Sequence, residues 1–342
     1  MSVAFPAIVD ALRQPSAYPH RPRAVQLVQT HTSVIFLADS LAFKVKKPVN
    51  LGFLDFTTIA KRLFACEQEV LLNRRLCPHM YLGVVPITKN ADGIAVEGRG
   101  EVVDYAVKMH RLPDSRMMDR LLAQGKVNPR MIERIAIKVA AFHRTAATRP
   151  AISFYGQPDI IARNVEENFA QTEPYVGKTL PPRWLETIAD YSREFLRKQE
   201  KLFWQRIAAG RIRDCHGDLR PEHICLIDGI CIFDCVEFNA RFRYADVAAD
   251  LAFLVMELDF AKRSDLSELL VDRYLAESGD KDLRLLLPFY KCYRAYVRGK
   301  VESFKLDLPG FGAQERVDAR EVATGYFALS LAYAHGQRLA AV

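Results

Sequence analysis

Hydrophobic residues fall in short alternating runs through the first third of the chain and recur every three or four positions through the rest. The stretch "SVIFLADSLAFKVKKP" holds two alternating runs, 33–38 and 41–46, hinged at Ala38-Asp39-Ser40, and predicts two short strands. "DFTTIAKRLFACEQEVLLNRRLCP" predicts one long helix, beginning near Asp55 or Thr57 and stopped by Pro78. "YLGVVPITKNADGIAVEGRGEVVDYAVKMHRLP" supplies three further strands, with turns at Asp92-Gly93 and from Gly98 to Gly100. A small antiparallel sheet with one helix is the natural assembly of these pieces.

The pattern changes after Pro113. "NPRMIERIAIKVAAFHRTA" is amphipathic, with Asn128 as cap and Pro129 in the first helical position. Helical patterns follow at 159–172, 183–208, 246–276, 283–304 and 313–338. They are interrupted only at 215–235, where "ICLI-DG-ICIF" predicts a hairpin with an Asp-Gly turn and strands of about four or five residues. The expected fold is therefore α+β in two lobes. Residues 1–110 form a sheet lobe, and residues 111–342 form a helical lobe that carries the hairpin.

Composition narrows the class. Half of the 342 residues are hydrophobic, enough for a sizeable core. No apolar run reaches 18 residues, and the N-terminus lacks a basic leader, so neither a membrane span nor secretion is expected. The seven cysteines are odd in number and scattered through apolar stretches. They read as small buried hydrophobes in a reducing cytoplasm rather than as ligands; a zinc set of Cys225, Cys231 and Cys235 is conceivable, but none of them forms a C-x-x-C pair. The net charge of +7 contains no basic block denser than "FKVKKP". It suits substrates that carry phosphate and disfavours polycations, and nucleic acid is not an expected partner.

The chemistry gathers in "CHGDLRPEHICLIDGICIFDC", residues 215–235, where Asp218 and Asp234 stand sixteen residues apart around the hairpin. Phosphoryl transfer needs a carboxylate at the attacking hydroxyl, oxygen ligands for a divalent metal, and a lysine for the nucleotide. A ribbon that returns the chain on itself places two such carboxylates at one end.

"HGDLRPEH…IFDCVEFN…YADVAADLAFL" resembles the core of the aminoglycoside phosphotransferase-like kinases, relatives of the protein kinases. "FKVKKPVNLGFLDF" and "LNRRLCPHMYLGVVPIT" resemble segments of a bacterial subgroup, some of whose members carry an added P-loop domain; no G-x4-G-K-[ST] match occurs here. The resemblance implies ATP and Mg2+ or Mn2+ as cofactors, and transfer of the γ-phosphate to a small-molecule hydroxyl. It implies Asp218 as the catalytic residue and Asp234 as metal ligand, with His216, Asp246 and Asp250 as structural support. It further implies Lys44 as the phosphate lysine, with Lys46 on the same strand face as the alternative, and Glu69 as its partner. The sequence agrees on Glu69, which interrupts the apolar stripe of Ala65, Leu72 and Leu76 and so calls for a cation. His31 and Ser33 in "THTSVIF" occupy the phosphate-covering loop, which here lacks glycine. In "KMHRL", Met109 would line the base pocket, while the backbone from His110 to Leu112 would contact adenine.

One departure stands out beside the glycine-free loop. His223 replaces the family's Asn, and imidazole suits magnesium poorly. Glu237, three residues past Asp234, is a candidate replacement ligand. Arg241 or Arg243 could hold an anionic acceptor bidentately. The chain passes from Asp234 almost directly to the helix near Asp246, too short a span for a protein-substrate activation segment. A weakly active or inactive nucleotide-binding regulator is the alternative function.

Overall fold

The computed structural model describes residues 3–308 and 310–336. Helix α1 (Phe5–Leu12) leads to strands β1 (Val25–Gln29), β2 (Ser33–Ala38) and β3 (Leu41–Lys46). Helix α2 (Ile59–Asn73) and strands β4 (Tyr81–Asn90), β5 (Gly93–Val96) and β6 (Glu101–His110) follow. The strands make one antiparallel sheet in the order β1-β2-β3-β6-β4-β5. Alternation along β3 sorts its side chains between two cores. Phe43 and Val45 pack with Ile8, Leu12 and Tyr18, whereas Ala42 packs with Cys66 and Val70 of α2. Lys44 and Lys46 therefore leave the strand on the α2 side. Thr58 caps α2, accepting from the Lys61 N–H, while Asp55 is occupied by the N–H and hydroxyl of Thr57. The helix accordingly begins after both sequence candidates. The α1 helix was not expected; its Ile8 and Leu12, one turn apart, bury their side chains in the core of the sheet's other face.

The chain continues through α3 (Met118–Ala123), α4 (Pro129–Thr145), α5 (Pro150–Ser153), α6 (Pro158–Thr172), α7 (Pro182–Lys198), α8 (Glu200–Ala208) and β7 (Ile212–Asp214). It then forms β8 (Ile224–Cys225), β9 (Cys231–Ile232), β10 (Tyr244–Asp246), α9 (Val247–Phe260), α10 (Ser264–Ser278), α11 (Leu283–Phe304) and α12 (Ala313–Ala334). Two compact units result: residues 1–120 with 222–240, and residues 121–221 with 241–342. The first unit thus includes the β8–β9 ribbon, which the sequence alone groups with the helices.

The second unit is built on α7, α9, α11 and α12, whose Ile188, Phe253, Met256, Tyr296 and Phe327 share one core. Gly299 lets α11 and α12 approach closely, since a Cβ there would lie 2.8 Å from the Phe327 ring. Arg206 is fully buried; it bonds both Asp246 oxygens at 2.6 and 2.8 Å and also pairs with Asp280. Asp246 in turn caps α9 through the Ala248 N–H at 2.8 Å.

Several sequence expectations are corrected. The helical pattern at 183–208 breaks at Gln199. The pattern at 246–276 breaks at Lys262, which adopts a left-handed φ of 61° while Arg263 N–H bonds back to Leu258 O. Residues 337 and 338 of the last pattern lie outside the described residues. The ribbon pairs only Ile224 with Ile232 and Cys225 with Cys231. Asp228-Gly229 does form a turn, closed by Ile230 N–H to Ile227 O, but Ile230 itself takes a φ of 42° and cannot continue the ladder. The cysteines are not all lone hydrophobes, because Cys77 and Cys231 form a disulfide with Cα atoms 4.8 Å apart; the other five are buried thiols. Cys231 is thereby removed from any zinc set. Among the described residues no helix is long and apolar enough to cross a membrane.

Candidate active site

In the first unit, Lys44 lies between two carboxylates, 2.9 Å from Glu69 Oε1 and 2.6 Å from Asp234 Oδ1. Two residues along β3, Lys46 reaches Glu69 Oε2 at 2.5 Å and also pairs with Glu237. The strand supplies both lysines on one face, α2 supplies Glu69, and the segment after β9 supplies the other acids. Asp234 adopts a φ of 61°, a left-handed conformation that aspartate tolerates better than most residues. Its N–H meets the Tyr81 hydroxyl at 3.4 Å, and its side chain keeps 39% exposure, against 0% for Glu69 and 6% for Glu237.

Burial and charge act against each other here. Burial would lower the Lys44 ammonium, but Asp234, Glu69 and Glu237 outweigh it and raise that group well above its ordinary value. Burial would raise Asp234, yet Lys44 and His223 hold it well below the usual carboxylate range. Glu69 is likewise lowered, with Lys44 and Lys46 overcoming its burial. Glu237 goes the other way: burial dominates and raises it despite Lys46.

Two ammonium groups thus face three carboxylates, one positive charge short of balance. That shortfall and the exposed Asp234 carboxylate fit a divalent cation. Magnesium in particular is held by one or two carboxylates and otherwise by water and phosphate. His223 Nε2 stands 3.5 Å from Asp234 Oδ2. Glu237, in contrast, has its carboxylate buried against Lys46.

The remaining nucleotide-side candidates lie around the same sheet. Thr30 closes the β1–β2 turn, its hydroxyl accepting from Ser33 N–H at 3.0 Å. His31 is exposed on that turn, and Ser33 Oγ is buried with no hydrogen-bond partner. Met109 sits in the α2-side core with Ala42, and half-buried Ile35, Leu37, Leu112, Ile227 and Phe233 pack against this core. The N–H groups of His110 and Arg111 are taken by Met80 O and Ser40 O, whereas that of Leu112 has no partner among the described residues.

In the second unit, the loop after β7 carries His216, Gly217 and Asp218. Asp250 holds it, accepting from His216 N–H at 3.0 Å and Gly217 N–H at 2.8 Å. Gly217 has a φ of 86°, which lets consecutive N–H groups converge on one carboxylate. His143 Nε2 joins Asp250 at 3.0 Å, and its Nδ1 meets the Tyr274 hydroxyl at 2.8 Å. His143, Cys215 and Asp250 have ligand atoms within 4.8 Å of one another. These atoms already have hydrogen-bond partners, with Cys215 Sγ donating to Ala245 O at 3.4 Å, and together they form a network that holds the loop. His216 Nδ1 accepts from Asp218 N–H at 3.3 Å, a positioning contact. Asp218 itself is gripped by Arg220, whose Nε and Nη2 lie 2.7 and 3.0 Å from its two oxygens. The sequence signal for Arg220 is its place two residues after Asp218.

Arg241 is engaged with Asn164 and Glu167, and Arg243 with Asp214 at 2.5 Å. Both guanidinium groups thus take part in ion pairs within their own unit.

Burial raises the Asp250 carboxyl, but the His143 hydrogen bond and the charges of His143 and His216 hold it well below its ordinary range. Such depressed carboxylates contribute stability above their unfolded values and lose it as pH falls through the folded ones. Acid unfolding followed by circular dichroism should therefore steepen below about pH 4. Asp250→Asn should lower stability at neutral pH and flatten that acid limb; an unchanged limb would contradict the assignment.

The phosphotransferase enzyme family matches residues 66–289, and the chain belongs to that family. An uncharacterized protein of Mycobacterium tuberculosis is 36% identical over 279 residues, covering 81% of this chain and 54% of the relative; a Mycobacterium bovis protein matches equally. The chain thus spans about half the length of these curated relatives. Among solved structures, a putative aminoglycoside phosphotransferase from Ralstonia eutropha aligns with a TM-score of 0.55 at 11% identity, covering 92% of this chain and 93% of its own. A choline/ethanolamine kinase family protein from Mesorhizobium loti aligns at 0.52 and 15% identity, covering 96% and 99%. Amicoumacin kinase, in complex with AMP-PNP, Ca2+ and Ami, aligns at 0.52 and 12% identity, covering 89% and 88%. These similarities establish the α+β kinase-like fold expected from the sequence.

Proposed function

We propose that the protein transfers the γ-phosphoryl group of ATP to a hydroxyl of a small molecule. The observation that carries this reading is Lys44 held between Glu69 and Asp234, the lysine, helix glutamate and metal aspartate that kinase-type phosphoryl transfer requires. Lys44 binds the nucleotide phosphates and Glu69 fixes its position. Asp234 and His223 would hold a divalent metal, which neutralises phosphate charge when bound. Ile35, Leu37, Phe233 and the Leu112 N–H provide an apolar wall and a donor for the base. Asp218 orients the acceptor hydroxyl and accepts its proton as oxygen attacks the γ-phosphorus and the bond to the ADP oxygen breaks. The reading requires Asp218 and the lysine cluster to serve one phosphoryl group.

The test is a transfer screen with labelled ATP and Mg2+ over hydroxylated metabolites, comparing the native chain with Asp218→Asn. Label appearing on an acceptor with the native chain alone supports the proposal. A nucleotide-binding regulator is the second reading, favoured by His223 in place of an amide. Nucleotide binding without turnover across metals and acceptors would establish it instead.

A further inference from the structure

The second unit holds a cluster of arginines around Phe253 of α9, next to the Asp218 loop. Arg220, which grips Asp218, has its guanidinium carbon 5.7 Å from the Phe253 ring centroid. Arg294 of α11 lies 4.7 Å from the same centroid, and Arg298 follows one turn later. Each cation has a different balance. Arg220 is matched by Asp218. Arg298 is matched by Glu257 at 3.2 Å and Glu302 at 3.0 Å. Arg294 has no carboxylate partner among the described residues. It is only 8% exposed, and its one hydrogen bond runs from Nε to Ala249 O at 3.0 Å.

A guanidinium more than nine-tenths buried without a counter-ion is costly to keep. The ring face of Phe253 offsets a part of that cost. A tether from α11 to α9 needs only the Nε–H, which leaves the two terminal nitrogens, the fork suited to a carboxylate or phosphate, uncommitted. We infer that the acceptor carries an anionic group and that Arg294 receives it, beside the Asp218 that handles the hydroxyl. The inference rests on the proposed phosphotransfer for the hydroxyl half of the acceptor. A quaternary amine or polyamine acceptor would meet like charge from Arg294.

The experiment uses the full chain with ATP and Mg2+. Glycerate and glucose 6-phosphate are compared with their uncharged counterparts glycerol and glucose, and with choline. Turnover is measured together with calorimetric binding of the same compounds. Turnover or binding should be confined to the anionic compounds. Arg294→Gln should raise their KM or Kd at least tenfold while KM or Kd for ATP stays within twofold. Arg294→Lys, which keeps the charge but loses the fork, should restore part of the affinity. It also provides the readout if the Gln variant fails to fold. A purely structural Arg294 would shift the melting temperature and leave the preference for anions unchanged. If ATP is never turned over, the phosphotransfer reading fails, and loss of anion binding in the variant still supports the anion site. Preference for neutral or cationic compounds, absence of anion binding, or an Arg294→Gln affinity within twofold of native overturns it.

Discussion

Asp218→Asn is expected to lower kcat for phosphoryl transfer by about 10²–10⁴-fold, the usual contribution of a positioned general base. The substitution keeps the shape of the side chain and one oxygen for the Arg220 fork, which now holds both oxygens. The loop should survive because its support comes from Asp250 bonding the His216 and Gly217 N–H groups, not from Asp218. Asp218 is 27% exposed but its partner Arg220 is buried, so loss of the carboxylate charge should lower the melting temperature by a few degrees while the fold is kept. Binding of a non-hydrolysable ATP analogue, measured by calorimetry, should be nearly unchanged. A variant that retains a third of native turnover would remove Asp218 from the catalytic role.

The second large effect separates the two lysines of β3. Lys46→Met should destabilise the fold by about 3–5 kcal/mol, the penalty for stranding a buried charge. Lys46 is 1% exposed and serves two acids, and without it Glu237 has no cation bonded to it. Because Glu237 is already raised by burial, it should take up a proton in the variant and bring the cost toward the lower end. Lys44→Met should act differently. Glu69 keeps Lys46, and the 39% exposed Asp234 can be hydrated, so the melting temperature should fall less. Turnover should drop by about 10²–10³-fold, as when a fixed charge is removed from a developing anion. Thermal melts paired with ATP turnover decide the matter. A Lys46 variant that folds normally but is inactive, beside an active Lys44 variant, would exchange the two roles.

The choice between these lysines shows where sequence reasoning stopped. Alternation along "FKVKK" places Lys44 and Lys46 on one face, and the stripe of α2 shows that Glu69 needs a cation. Neither pattern says that Glu69 offers one oxygen to each lysine, or that Glu237 completes the second pair. Those facts depend on where the chain returns after β9, 190 residues beyond Lys44 for its contact with Asp234. Arg241 and Arg243 are a parallel case. Their spacing after the metal segment was legible, but their partners Asn164, Glu167 and Asp214 come from distant sequence. The break at Lys262 carries no local signal, because no glycine marks the left-handed position there.

By itself, the sequence determined the strands at 33–38 and 41–46, the Asn128 cap, the α+β class and the motif residues that define the family. These depend on side-chain periodicity, capping and short-range spacing, which are local properties of the chain. Only the tertiary structure decided which lysine meets which acid, which arginine is left without a carboxylate, and that Cys77 and Cys231 pair across 154 residues. Buried charges and thiols take their partners from whatever folding brings within a few ångströms, and no local pattern encodes that.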